Sequence, residues 1–266
     1  MSHPNRRTAL LGLASLAPAM VIALPASART TRTVTTTQFA EIKVSLDTTI
    51  KGIRALAADC AREGDRWAAK WRRDAAKALR EEPDMQERGV HWSLEREYET
   101  RSVIGRYVSV VRADYLNTGG AHPNLLIDTI LWDGAVNKRV SIRPFFNETA
   151  DNGPAMTALA ELVRAAVLAE KKRRDIPQEL IDDPEWLKDI TPELTGLGPV
   201  TLAPSTEPNR SSGLTFHFHP YAVGPYAEGS YTVFVPWQSF EPFLSADGRA
   251  LFAGERPADD AAKYQP

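Results

Sequence analysis

Cysteine is nearly missing, with Cys60 the only one in 266 residues. A lone thiol closes no internal disulfide and builds no cysteine-rich zinc site, and no cysteine follows the expected cleavage point to accept a lipid. The fold must therefore rest on packing. There is no Gly-x-Ser-x-Gly elbow for a nucleophilic serine, and Gly119-Gly120 does not open a helix, so the glycine loop that cradles phosphates is absent too. Excess positive charge is also lacking. Lys and Arg number 32 against 34 Asp and Glu, a formal net charge of −2, which argues against a nucleic-acid surface. After the first 28 residues no apolar run approaches the roughly 20 residues of a bilayer span, and no internal repeat or heptad array is visible.

What is present begins with an address. Arg6 and Arg7 precede an apolar run from Ala9 to Leu24 that ends in Ala26-Ser27-Ala28, the pattern of a cleavable export signal over residues 1–28. The paired arginines fit the twin-arginine route, though general secretory signals also begin with arginine. Pro18 interrupts the run, which speaks against an uncleaved anchor. The expected location is periplasmic or secreted, with no membrane span after cleavage.

Downstream, the threonine-rich residues 29–37 read as a solvated leader, and residues 39–46 alternate as a strand. Ile50, Ile53, Ala57, Cys60, Trp67, Trp71 and Ala75 recur at spacings of three, four or seven and predict one long helix ending near Glu82-Pro83. On that stripe Cys60 is a buried small residue rather than a reactive thiol. Strands follow at 90–98, 103–116, 125–132 and 139–142. A second helix opens at Pro154 and buries Met156, Leu159, Val163, Ala166 and Val167, with Lys171, Lys172, Arg173 and Arg174 as its solvated cationic end. Residues 175–213 read as a proline- and charge-rich surface crossing with one short helix near 184–190. Strands at 214–218 and 230–235, a short helix from Pro236 bearing Trp237, Phe240 and Leu244, and a frayed tail from 246 complete the chain. The class is α+β: one antiparallel sheet meander packed by two long helices, with a short C-terminal helix.

Three places carry candidate chemistry. His122, in the segment Asn117-Thr118-Gly119-Gly120-Ala121-His122-Pro123-Asn124, has Asp114 and Asp128 on the adjoining strands as possible orienting carboxylates. The surrounding Gly and Pro favour a turn that the ring braces over a catalytic base, so no catalytic residue is assigned. In Phe216-His217-Phe218-His219 strand alternation puts both histidines on one face, a spacing used by zinc sites, but a third ligand such as His122 or Glu228 is not implied by the sequence. Two partly exposed histidines are the preferred reading, and no metal or cofactor is assigned. Asp114, Asp128, Glu228 and Glu241 are the carboxylates available for a glycosidase pair, with separations that sequence does not give.

Tyr107-Val108-Ser109-Val110, the run from Gly119 to Asn124, Phe145-Phe146, and then Phe218, Tyr221, the run from Gly224 to Gly229 and Val235-Pro236 resemble, in order, the motifs of the RsiV-type extracellular domain. The likeness covers roughly residues 38–245, with 38–150 similar to the PdaC-like N-terminal half and 151–245 to the RsiV-type C-terminal half. It implies an α+β domain whose best-understood member is the ectodomain of a lysozyme-binding anti-sigma factor. No counterpart of that member's cytoplasmic sigma-binding segment is expected ahead of the signal-like residues 1–28. The resemblance thus implies an exported non-catalytic module that recognises a lysozyme-like protein or the cell-wall glycan through two loops at one sheet edge. The contact residues expected are Tyr221, Pro225, Tyr226, Glu228 and Gly229 in one loop and Gly119, Gly120 and His122 in the other. The alternative is an envelope hydrolase or deacetylase using His122 or a His217/His219 metal.

Overall fold

A computed structural model describes residues 30–262; the expected export signal lies outside them. Among the described residues no helix is long and apolar enough to cross a membrane. The chain begins with β1 (Thr30–Thr36) and β2 (Ala40–Leu46), an antiparallel pair. The threonine-rich leader is thus a strand, consistent with the β preference of threonine. A short helix α1 (Thr48–Gly52), capped by the Asp47 side chain on the Ile50 amide, leads into α2 (Arg54–Glu81) and the single turn α3 (Pro83–Glu87). Ile53, extended at φ −104°, ψ 90°, separates α1 from α2, so the expected single helix comes in two pieces with the same apolar stripe.

The chain then forms β3 (Trp92–Ile104), β4 (Tyr107–Asn117), β5 (Asn124–Asp133) and β6 (Lys138–Val140). They complete a six-stranded sheet in sequential order. Its β2–β3 pair is parallel, because the long α2 carries the chain back across the sheet before β3 starts. The purely antiparallel meander expected from sequence is corrected at that step. Another correction concerns residues 103–116, read as one strand: Gly105, at φ +55°, and Arg106 make a tight turn that folds β4 back on β3. β-prone residues on both sides hid it.

The second helix, α4 (Pro154–Arg173), follows a helical turn at Arg143–Phe145 and precedes the short α5 (Gln178–Ile181). Instead of a surface crossing, residues 175–213 then contain β7 (Val200–Pro204), which joins β8 (Ser211–Phe218) and β9 (Tyr231–Pro236) in a separate three-stranded sheet. The single sheet expected is therefore two. Residues 246–262 are not frayed either. Past a helical turn at Trp237–Phe243 lie α6 (Ala246–Leu251) and α7 (Ala258–Ala262). They are held by buried Leu251 and Phe252 and by the Asp260 carboxylate, which accepts two bonds from Arg101 at 2.5 and 2.7 Å.

Two apolar cores result. α2 packs one face of the large sheet through Leu56, Cys60, Trp67 and Leu79 against Ile42, Val44, Leu94 and Val110. Burial pushes the Cys60 thiol up to about 12, so it stays protonated and inert. α4 packs the small sheet through Leu159, Val163 and Val167 against Phe216, Tyr231 and Val233. The two sheets meet where β7 lies on the large sheet's other face. There hydroxyls satisfy the β7 backbone: Ser109 Oγ accepts from Leu202 N at 3.1 Å, Ser102 Oγ donates to Leu202 O at 2.7 Å, and Thr129 Oγ1 accepts from Val200 N at 3.0 Å. β7 covers only one end of that face, and the uncovered end carries the β4–β5 hairpin.

Candidate functional site: an aromatic rim

The tip of the β4–β5 hairpin is built by turn chemistry. Asn117 Oδ1 accepts the Gly119 amide at 3.2 Å, and Gly119 sits at φ +84°, where a side chain would strain the turn; Gly120 follows, exposed. This geometry delivers His122 to the surface. Opposite it lies the 219–229 loop between β8 and β9, which contains a helical turn at Tyr226–Glu228 entered through Pro225 and closed by Gly229 at φ +73°. The two loops touch through three rings. His122 stacks on Tyr226 with centroids 3.8 Å apart and planes 22° from parallel, and Tyr221 leans on both at 6.1 and 5.5 Å. The Tyr221 hydroxyl lies 3.3 Å from His122 Nε2, and the Tyr226 hydroxyl donates to the Pro123 carbonyl at 2.9 Å.

Tyr221 is the unusual member. Its backbone lies in the left-handed region at φ +72°, a rare place for a bulky side chain, and the residue is 53% exposed. Strain of this kind costs on the order of 1–3 kcal/mol and is retained where the surroundings enforce it.

The turn enforces it: Pro220 and Tyr221 occupy its middle positions, and the Ala222 amide donates to the His219 carbonyl at 3.0 Å. The rest of the loop is anchored by a buried ion pair that sequence reading placed in solvent. Glu228, expected as a charged contact for a ligand, is buried, with its side chain 5% exposed; Oε2 accepts Lys171 Nζ at 2.8 Å and a short bond from the Tyr231 hydroxyl. Lys171 is 1% exposed, not part of a solvated helix end. Burial, and then the Glu228 bond, push the Tyr231 phenol well above its ordinary value, so the hydroxyl remains a donor. Arg174 finishes the clamp, bonding the Glu228 and Ser230 carbonyls at 3.1 and 3.0 Å and lying 4.0 Å over the Tyr231 ring. A Cβ on Gly224 would come within 2.2 Å of Glu228 Oε2, so a side chain there would push the ion pair out of place. Sequence reading missed these anchors although a signal existed. Lys171 falls four residues after Val167 and eight after Val163, on the buried stripe of α4.

The other candidates do not join the rim. Asp114 is bound to Arg96 through two bonds of 2.6 and 2.5 Å beneath α2, and Asp128 bonds Arg112 at 2.8 Å, so neither orients His122. That ring has the Pro123 carbonyl 3.1 Å from Nδ1 instead. His217 is not a half-exposed polar-face residue, because β8 is the central strand of its sheet and is covered on both faces. The residue is 3% exposed, its Nε2 lies 2.9 Å from Thr201 Oγ1, and burial lowers its pKa to about 3. His219 turns Nδ1 to the Pro220 carbonyl at 2.8 Å. Among the described residues no group of three His, Cys, Asp or Glu side chains could hold a metal ion.

Beside the rim is a cleft of about 340 Å³ between the uncovered sheet end and the 189–199 segment, lined by Ile127, Asp189, Thr195, His219 and Tyr221. An adjoining cleft of about 280 Å³ runs on past Asp128, Thr129, Leu131 and Val140.

This architecture has solved counterparts. A member of the DUF3298 family from Bacteroides fragilis superimposes with a TM-score of 0.55 at 16% identity, covering 83% of this chain and 95% of its own. A DUF3298 family protein from Pseudomonas aeruginosa PAO1 does so with 0.51 at 17% identity, covering 85% and 96%. At such identities the likeness is one of fold. No curated protein matches. The stretch holding α4, the small sheet and the 219–229 loop, residues 146–238, matches the family model described as "Protein of unknown function (DUF3298)".

Proposed function

We propose that this protein is an exported, non-catalytic binding module, and that the rim of His122, Tyr221 and Tyr226 is the surface that meets its ligand, a protein or the cell-wall glycan. The observation that carries the reading is Tyr221, strained at φ +72° and yet 53% exposed. A ring that served only packing would be buried and relaxed; this one is held outward by a loop that a buried ion pair anchors. Tyrosines offer large contact area at low entropic cost, and here stacking with His122 has already paid part of the ordering entropy. The RsiV-type resemblance makes a lysozyme-like protein the first ligand to test, and the signal-like residues 1–28 agree with a site of action outside the cytoplasm.

The experiment is retention of lysozyme, of envelope proteins and of insoluble peptidoglycan by the purified protein and by Tyr226→Ala. The reading expects one ligand to be retained, and Tyr226→Ala to weaken retention at least tenfold. Equal retention by both forms, or none by either, sinks it.

A further inference from the structure

β5 is a sheet edge over half its length. β6 pairs only with Leu131, Trp132 and Asp133, and from Asn124 to Ile130 no described strand lies on the outer side of β5. Backbone groups of alternate residues there point away from β4, and no described backbone group takes them up. Natural edges are guarded by lysine, proline, bulges or a covering element. The short β6 carries Lys138 and Arg139, and β9 is packed by α4. β5 instead presents Leu125-Leu126-Ile127 with no basic residue or proline in the strand, and Leu126 is 44% exposed.

The two clefts run along this edge and share Thr195, Gly198 and Pro199 as their far wall. Neither is lined by a lysine or arginine, and Asp128 and Asp189 supply the only charges. Together these form a row of main-chain groups with no neighbouring strand, in which the Thr129 amide is held by the exposed Asp128 Oδ1 at 2.7 Å, and adjoining side-chain pockets. A saccharide would leave the row unmatched, whereas an extended backbone repeats its own groups at the same interval and places alternate side chains about 7 Å apart on one face.

We propose that the open half of β5 receives an extended segment of a partner polypeptide as an added strand, with its alternate side chains entering the two clefts and a basic one facing Asp189. The proposal rests on the recognition reading above and names the chemistry of the partner.

A twelve-residue peptide alternating valine and lysine tests it, beside the same peptide N-methylated at every second amide and a valine–glutamate version. Binding is read by calorimetry and by amide hydrogen exchange of the whole protein. The valine–lysine peptide should bind saturably and slow exchange across residues 124–130 at least tenfold. N-methylation, the glutamate version, and Thr195→Trp, which fills the groove from an exposed position, should each weaken binding at least tenfold, with the Thr195→Trp protein melting like the parent. No saturable binding, binding without protection of 124–130, or equal binding of the N-methylated peptide overturns the proposal. Protection of 124–130 by self-association alone, with no peptide bound, overturns it in favour of a second copy of the chain. If Tyr226→Ala abolishes ligand retention while the peptide leaves β5 unprotected, the rim stands and strand addition falls.

Discussion

β5 is the more apolar strand, with six apolar residues in ten against three in eight for β8, yet it is the less buried. Every residue of β8 is buried, from Ser211 to Phe218, whereas β5 alternates between exposed and half-buried over its first half and is fully buried only from Ile130 onward. The difference lies in their neighbours. β8 has a strand on each side, α4 on one face and the Arg101–Asp260 cluster with the C-terminal segment near the other, while β5 loses both its outer strand and the cover of β7 toward the hairpin tip. A strand's sequence sets what it can bury, and its place in the sheet decides what it does bury. The region left open is also where the rim and the clefts lie.

The largest contrast should come from substituting the two strands. Phe216→Ala in β8 should cost about 3–5 kcal/mol of unfolding free energy, and Leu126→Ser in β5 less than about 0.5 kcal/mol, as measured by urea denaturation. Similar costs for the two would mean that β5 is covered in solution. Of comparable size is the loop anchor. Lys171→Met leaves the Glu228 carboxylate buried without its cation and should cost about 3–5 kcal/mol, while the double change Lys171→Met with Glu228→Gln should recover a good part of that.

The α+β class, the apolar stripes of α2 and α4 and the β4–β5 hairpin were legible because each rests on local periodicity. The meeting of His122 with Tyr221 and Tyr226 was foreseen only as two loops sharing an edge. What escaped notice was what non-local packing decides. The Gly105 turn was hidden by β-formers on both sides, β7 by its prolines, and the parallel β2–β3 pair by the want of any sequence mark for strand direction. Lys171 and Glu228 were misjudged because charge was read as exposure, although two charges placed on one buried stripe and one glycine-rich loop can bury each other.

The protonation of His217 also separates β8 from β5, by pH. His217, whose ordinary pKa is 6.5, is lowered to about 3 by burial and secondarily by Arg101 and Arg256. Between those values only the unfolded chain takes up the proton. The neutral ring's contribution is therefore complete above about pH 6.5 and is lost as the pH falls toward 3, at no more than roughly 1.4 kcal/mol per pH unit. His217→Gln should flatten that limb of the stability profile. Asp260 and Glu63 add a separate loss at lower pH, since burial raises each carboxyl but arginines outweigh it and hold both below their ordinary values. An unchanged limb in His217→Gln would show that the imidazole is protonated in the folded state.

At the rim, too, the expected change in stability is small. Tyr221→Gly relieves the left-handed strain while giving up ring contacts and adding unfolded-state entropy, so the unfolding free energy should stay within about 1 kcal/mol of the parent.

The same variant supplies the most direct measurement: the affinity of Tyr221→Gly for whichever ligand the parent retains, determined beside its melting temperature. A drop in affinity of tenfold or more with little change in melting temperature is the result expected if the ring is turned outward for contact. Unchanged affinity together with a fall of many degrees in melting temperature would contradict the account and make the three rings a brace for the fold.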